Sequence, residues 1–174
     1  MVQDIVIYPD KRLKLISKDV TNFDTELHTL LEDMYDTMLS KKGVGLAAIQ
    51  IGIAKRVLII NLPEEDDSSN DEVIINKEDT LEIINPKFTS KEGLCKHQEG
   101  CLSIPGVYED IERAEHIVLE YYDRYGEKHI IDNNDFLAIA LQHEIDHLDG
   151  KVFIEKLSIL KRKKFEKEWK KRFK

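Results

Sequence analysis

Residues 142–150, Gln-His-Glu-Ile-Asp-His-Leu-Asp-Gly, constrain this chain more than any other stretch. His143 and His147 stand four apart. On a helix that spacing puts both on one face with Cβ atoms about 5–6 Å apart, close enough for two imidazoles to grip one divalent ion. Glu144 follows the first histidine and can reach the metal's water without being a ligand itself. The flanks support a helix. Over 135–148, Phe136, Ala140, His143 and His147 lie close to one face, with Leu137 and Leu141 beside them. Asn133 or Asn134 can cap the start, and Gly150 suits the stop. Two histidines leave a metal under-coordinated, so the fold must bring a third ligand to this helix from elsewhere.

The rest of the chain alternates between the two structural periods. Residues 24–41 read as a helix, with Leu27, Leu30, Leu31, Met34 and Met38 as its apolar stripe, Asp24 or Thr25 as its cap and Gly43 as its stop. His28 falls among its polar positions and reads as a surface histidine. Residues 56–62 form a β-branched run typical of a buried strand. Further strands are predicted at 81–85, 115–123 and 128–132, the last two joined by a turn at Asp123-Arg124-Tyr125-Gly126. A final helix at about 158–173 carries Leu160 and the aromatics Phe165, Trp169 and Phe173 at four-residue intervals, a stripe expected to pack on the body. Strands interspersed with helices point to an α+β fold. A chain of 174 residues without internal repeat suits one catalytic domain, 1–174.

Charge is unevenly placed. Residues 155–174 carry a net +7 and the whole chain −8, which leaves the body strongly acidic. The body would repel nucleic acid, so no DNA partner is expected. The basic end (158–174) reads either as a solvated amphipathic helix or as a dock for a phosphate-rich partner. Residues 63–72 form an acidic, polar surface loop without EF-hand spacing. No run approaches the roughly eighteen apolar residues of a membrane span, and the N-terminal residues lack the signal-peptide pattern. A cytoplasmic protein is expected, with Cys95 and Cys101 unpaired in a reducing compartment.

Candidates for the third ligand are Cys95, Cys101, His97, His116 and His129, besides many carboxylates. Cys101 is favoured because it lies in Glu99-Gly100-Cys101-Leu102-Ser103-Ile104-Pro105-Gly106, where glycines and a proline impose particular backbone demands. A thiolate also binds zinc or ferrous iron strongly. The ordinary fate of a lone cysteine is a small buried apolar residue. A third unusual segment, Gly43-Val44-Gly45-Leu46-Ala47-Ala48-Ile49-Gln50-Ile51-Gly52, is glycine-rich but lacks the Lys-Ser/Thr of a phosphate loop. Its small residues would let the main chain approach a substrate. Gln50 either satisfies a nearby backbone group or donates to a developing oxyanion.

Gly43-Val44-Gly45-Leu46-Ala47-Ala48-Ile49-Gln50, Glu99-Gly100-Cys101-Leu102-Ser103 and Gln142-His143-Glu144-Ile145-Asp146-His147, in this order and spacing, closely resemble the peptide deformylases. The resemblance spans nearly the whole chain. It implies an α+β fold in which antiparallel or mixed sheets pack around a central ligand helix, with a helix at the C-terminal end. It implies removal of the formyl group from the N-terminal formyl-methionine of nascent polypeptides. It also implies a single metal ion per chain on Cys101, His143 and His147, ferrous iron with zinc or nickel as substitutes. Gln50, Leu102 (through its backbone N–H) and Glu144 are carried over as catalytic residues. Gly43, Val44, Gly45, Glu99, Gly100 and Tyr108 are expected at the substrate. Tyr108 stands where many members place a substrate-contacting arginine, and the acidic insertion at 63–80 is longer than in compact members.

On this reading water activated by the metal attacks the formyl carbon. Glu144 takes the water's proton and returns it to the departing amine. An apolar pocket takes the methionine side chain, with Ile49 and Ile139 as expected walls. Two alternatives use the same helix: a zincin-type peptidase with His or Glu as third ligand, and a non-catalytic protein stabilised by a closed metal site. A monomer is expected, with the ribosome docked through the basic C-terminal helix.

Overall fold

The computed structural model describes residues 1–63 and 75–173. Its elements in chain order are α1 (Thr25–Ser40), β1 (Gly45–Ala47), β2 (Val57–Ile60), β3 (Leu81–Glu92), β4 (Cys95–Cys101), β5 (Ile104–Arg113), β6 (His116–Tyr122), β7 (Lys128–Asn133), α2 (Phe136–Leu148) and α3 (Ile159–Lys171). A single 3₁₀ turn, Ala48–Ile51, links β1 to the approach of β2.

Five strands form one antiparallel sheet in the order β1-β2-β3-β6-β7, and β4 with β5 forms a separate antiparallel hairpin. The expected α+β class with a C-terminal helix is the one observed. Every named strand pair is antiparallel, and among the described residues the one parallel contact is an isolated bridge between Lys18 and Lys55.

The sequence of β2 explains how the layers assemble. Alternate side chains of a strand point to opposite faces. Leu58 and Ile60 join Ala138, Leu141, Ile145 and Leu148 of α2 in one core cluster. Val57 and Ile59 join Leu27, Leu31, Met34 and Met38 of α1 in another. The strand is therefore covered on both sides and reads as an unbroken apolar run. The two helices pack against opposite faces of the sheet, and α2 bears the histidines inward.

The α1 stripe and its Asp24 cap are as predicted, the Asp24 carboxylate accepting from Leu27 N–H at 3.1 Å. The stop differs. Lys42, not Gly43, takes the left-handed conformation at φ 55°, and Gly43 N–H closes the end on Met38 C=O. At α2 the predicted cap at Asn133 acts from outside the helix, its side-chain oxygen accepting from both Asp135 and Ala138 N–H. Gly150 ends the helix at φ 71°.

The hairpin β4–β5 is absent from the predicted strands. Its side chains are mostly exposed or half-buried, so they carry no apolar alternation. In α3 the stripe only partly packs. Phe165 and Trp169 are buried with Ile104, Ile111 and Phe153, whereas Leu160 and Phe173 are exposed. The acidic loop predicted over 63–72 lies almost wholly outside the described residues.

Candidate metal centre

The rotational setting of α2 is fixed by an amide. Gln142 donates to Ala114 C=O at 2.9 Å and accepts from Ala114 N–H at 3.0 Å. It thus pairs with the chain between β5 and β6 as a strand neighbour would. With that setting, His143 and His147 lie one turn apart on the inner face, ring centroids 5.0 Å apart and nearly perpendicular.

Cys101 arrives from the end of β4. Its Sγ stands 3.4 Å from His147 Nε2, and one ligand atom from each of Cys101, His143 and His147 lies within 4.8 Å of the others. A tetrahedral ion at ordinary Zn–S and Zn–N lengths would hold sulfur and nitrogen roughly 3.5 Å apart. The other candidates lie elsewhere. Cys95 Sγ faces Ala114 C=O, and His97 packs on Phe136 with centroids 5.0 Å apart. His116 pairs with Asp132 and His129 with Asp123. Both cysteines are free thiols.

The electrostatics suit a cation. Burial, with His143 and Arg113 nearby, holds His147 well below the usual imidazole range and so neutral, as a metal ligand must be. Burial works to lower His143 too, but Cys101 and Glu99 hold it well above its ordinary value. The pocket of anions around His143 therefore stabilises a positive charge, whether proton or metal. His143 Nδ1 is engaged by Glu99 Oε1 at 2.8 Å, leaving Nε2 to face Cys101 and His147. An orienting carboxylate of this kind fixes tautomer and ring angle.

Glu99 is itself held by Arg113, at 2.5 and 2.7 Å, and Arg113 continues to Asp146 at 2.9 Å. Burial would raise the Glu99 pKa, yet His143 and Arg113 bring it down to about 2. A buried charge is tolerable only when paired in this way. Arg113 is the residue that sequence reasoning missed. It sits in a strand of mixed polar character, and only Asp146, on the ligand helix between the two histidines, hinted at a basic partner.

Glu144 is 7 % exposed, and its Oε2 has no hydrogen-bond partner among the described residues. Burial pushes its pKa up to about 7. It fits only because residue 45 is glycine, since a Cβ there would lie 2.7 Å from Glu144 Oε1. Two other expected site glycines act in the same manner. A Cβ at Gly43 would meet Leu102 at 2.8 Å, and one at Gly100 would meet the Tyr108 ring at 2.6 Å. These glycines admit the side chains of the site, rather than simply lowering a wall for substrate.

Gln50 satisfies a nearby backbone group, as one of its two sequence readings expected. Its Oε1 accepts from Ala47 N–H at 2.9 Å. That contact fixes the amide orientation, because an NH₂ cannot accept. The Nε2 group therefore points the other way, 3.2 Å from Ser103 Oγ and 3.5 Å from Cys101 Sγ.

Above these groups opens a cavity of about 620 Å³. Val44, Leu102, Val107, Phe136 and Ile139 supply apolar wall, and Gly43, Gly45, Gln50, Glu99, Gly100 and Tyr108 also line it. Ile49 does not. It is fully buried in the core beneath α2, because the 3₁₀ turn sends Ile49 inward as it sends Gln50 toward Ser103.

The polypeptide deformylase profile matches residues 2–163. A peptide deformylase of Wolinella succinogenes is 56 % identical over 168 residues, covering 97 % of this chain and 95 % of that protein. The crystal structure of peptide deformylase from Ehrlichia chaffeensis in complex with actinonin superposes with a TM-score of 0.86 at 42 % identity, over 98 % of this chain and 97 % of that one. A class I type b peptide deformylase from Acinetobacter baumannii, solved with Met-Ala-Ser bound, gives 0.80 at 32 % identity, over 90 % and 99 % of the two chains. Together with a cysteine and two helical histidines converging beside a buried glutamate, these likenesses establish that the chain belongs to the polypeptide deformylase family.

Proposed function

We propose that this protein removes the formyl group from the N-terminal formyl-methionine of nascent polypeptides. The observation that carries the reading is the convergence of Cys101, His143 and His147 beside Glu144 and the Gln50 amide, at a pocket with apolar walls. A divalent ion bound there, ferrous iron by preference with zinc or nickel as substitutes, would acidify water and polarise the formyl carbonyl.

The protein's own groups do the rest. Glu144, buried and poised near neutrality, takes a proton from the attacking water and delivers it to the leaving amine. Gln50 Nε2, aimed by its bond to Ala47, and the Leu102 N–H donate to the oxygen that becomes negative. Val44, Leu102, Phe136 and Ile139 offer the apolar surface a methionine side chain needs. Met-Ala-Ser in the Acinetobacter relative is what deformylation of formyl-Met-Ala-Ser would leave, and its occupancy supports the same use of this pocket.

For the partner, the outward face of α3 carries Lys163, Lys167, Lys170 and Lys171. That face offers a dock for ribosomal phosphate, consistent with a cytoplasmic enzyme acting on emerging chains. No helix among the described residues is long and apolar enough to cross a membrane.

The test is formate release from formyl-Met-Ala-Ser by protein purified without oxygen, with metal content measured on the same sample. Formate in proportion to bound metal is expected. Cleavage of internal peptide bonds without formate would instead favour a peptidase. A site closed by a fourth protein ligand, with neither activity, would mark a structural metal.

A further inference from the structure

The cavity above the metal ligands does not end at Tyr108. A second groove of about 410 Å³ runs between β5 and α3, and it shares Gly106, Val107 and Tyr108 with the first. One strand thus forms the wall of both. The far wall is the inner face of α3, where Lys161, Lys164, Glu168 and Arg172 recur at helical spacing beside the buried Phe165 and Trp169. Lysines stand at the mouth of the first cavity as well, at positions 41 and 42. Glu109 is the groove's other acid and lies 3.8 Å from Lys161 Nζ. Lys164 has no ion-pair partner among the described residues. The surroundings contrast with this path, because the chain outside residues 155–174 is strongly acidic.

At the junction between the cavities Arg172 packs over a glycine. Gly106 has φ 75° and leaves space into which Arg172 reaches, 3.3 Å from where a Cβ would stand. Arg172 Nη1 donates to Pro105 C=O at 2.9 Å and its guanidinium lies over the Trp169 ring. The lip shared by the two cavities is therefore fixed to α3. Tyr108 lies across Gly100 and presents an exposed ring at the junction.

We propose that the groove between β5 and α3 is the path of the substrate's distal residues, and that it favours acidic side chains there. The inference rests on the deformylase reading of the first cavity. From Ile104, beside the ligand loop, to Tyr108 is four strand residues, and extended chain advances about 3.3 Å per residue. A peptide with its first residue at the metal would therefore reach the groove from about its fifth residue. Tyr108 gives this chain an aromatic step over which a backbone can pass, and the charge that would select acids lies further on, at Lys161 and Lys164.

The experiment compares kcat/KM for formate release from formyl-Met-Ala-Ser with two formylated octapeptides, one bearing glutamates and one bearing lysines at residues five to seven. The glutamate peptide should exceed the lysine peptide about threefold to tenfold at low ionic strength, as expected for a few exposed ion pairs, with the ratio shrinking in salt. Lys161→Glu with Lys164→Glu should bring that ratio to one or invert it. Lys163→Glu with Lys167→Glu, on the opposite face of α3, should leave it. Each ratio is taken within one protein preparation, so partial misfolding lowers both values and preserves it. Equal efficiency for the two octapeptides and the tripeptide, or a ratio unmoved by the inner-face variant, overturns the groove while leaving deformylation standing. No formate from any of the three overturns the deformylase reading and the groove together.

Discussion

At the scale of single residues, substitutions should separate the proposed metal ligands from the proposed proton carrier. Glu144→Gln keeps the shape of a side chain already packed against Gly45, so metal content should stay at the parental level while kcat falls about 10²–10⁴-fold. Activity within a few-fold of the parent would reassign the proton shuttle. Cys101→Ser replaces a soft thiolate with a poor ligand for iron or zinc. It should lower metal retention on dialysis, and unchanged metal and turnover would make Cys101 merely structural. Gly45→Ala tests the glycines differently. The added methyl must displace Glu144, because the contact of 2.7 Å falls on its carboxylate. The expected outcome is a kcat at least tenfold lower with metal content and melting temperature nearly intact.

At this scale much was legible. His143, Glu144 and His147 announce themselves by helical spacing, and Cys101 by its glycine-flanked loop. Arg113 does not, because nothing in a strand's sequence distinguishes an arginine pointing at solvent from one that neutralises Glu99 and Asp146. Ile49 and Gln50 differ for a related reason. A single 3₁₀ turn decides which of two neighbours faces the pocket, and neither residue's chemistry encodes that turn.

Among the elements, α2 and β2 were readable because burial on one or both faces leaves an apolar period. The β4–β5 hairpin was not, since it exposes most of its side chains and its register is held by backbone pairing. The α3 helix shows how far the period alone can mislead. Its aromatics share a stripe, but only Phe165 and Trp169 reach the body, near Tyr8. Trp169→Ala should therefore cost about 3–5 kcal/mol of stability by denaturant titration, whereas Phe173→Ala should cost well under 1 kcal/mol. A loss of comparable size at both positions would contradict the packing. The pairing of β6 with β7 makes a separate prediction. Asp132 lies 2.5 Å from His116 Nε2 and raises its pKa, against burial and with help from Glu92. A raised folded-state pKa means that the stabilisation is full below the unfolded value, about 6.5, and fades as pH rises through the folded one. An NMR titration should find His116 above the usual imidazole range and Asp132→Asn should return it. A His116 unaffected by that change would remove the pair.

For the whole molecule, metal and fold are linked. An ion that binds only the native state stabilises it by about 2.7 kcal/mol when present at a hundred times its dissociation constant. Stripping the metal with a chelator should therefore lower the melting temperature, and Cys101→Ser should abolish most of that difference. A chelator-insensitive melting temperature in the parent would show that the ligands fold into place without help. The lopsided charge gives a second expectation at this scale. Sedimentation with ribosomes should weaken as salt rises and should drop when Lys163, Lys167, Lys170 and Lys171 are made neutral. Binding that ignores both changes would assign the outer face of α3 to solvent.

The segment around Tyr8 has one more implication. Val6 N–H donates to Gln50 C=O, Tyr8 N–H to Ser103 C=O, and Tyr8 C=O receives the Trp169 indole N–H across 161 positions of sequence. This short strap stitches the Gln50 turn, the sulfur loop and α3 together, yet its last fastening is translated 161 residues after the strap itself. Contacts so distant along the chain form slowly. A partly made copy stalled before Trp169 should hold its strap loosely and lose it to protease, while a copy stalled well after that residue keeps it.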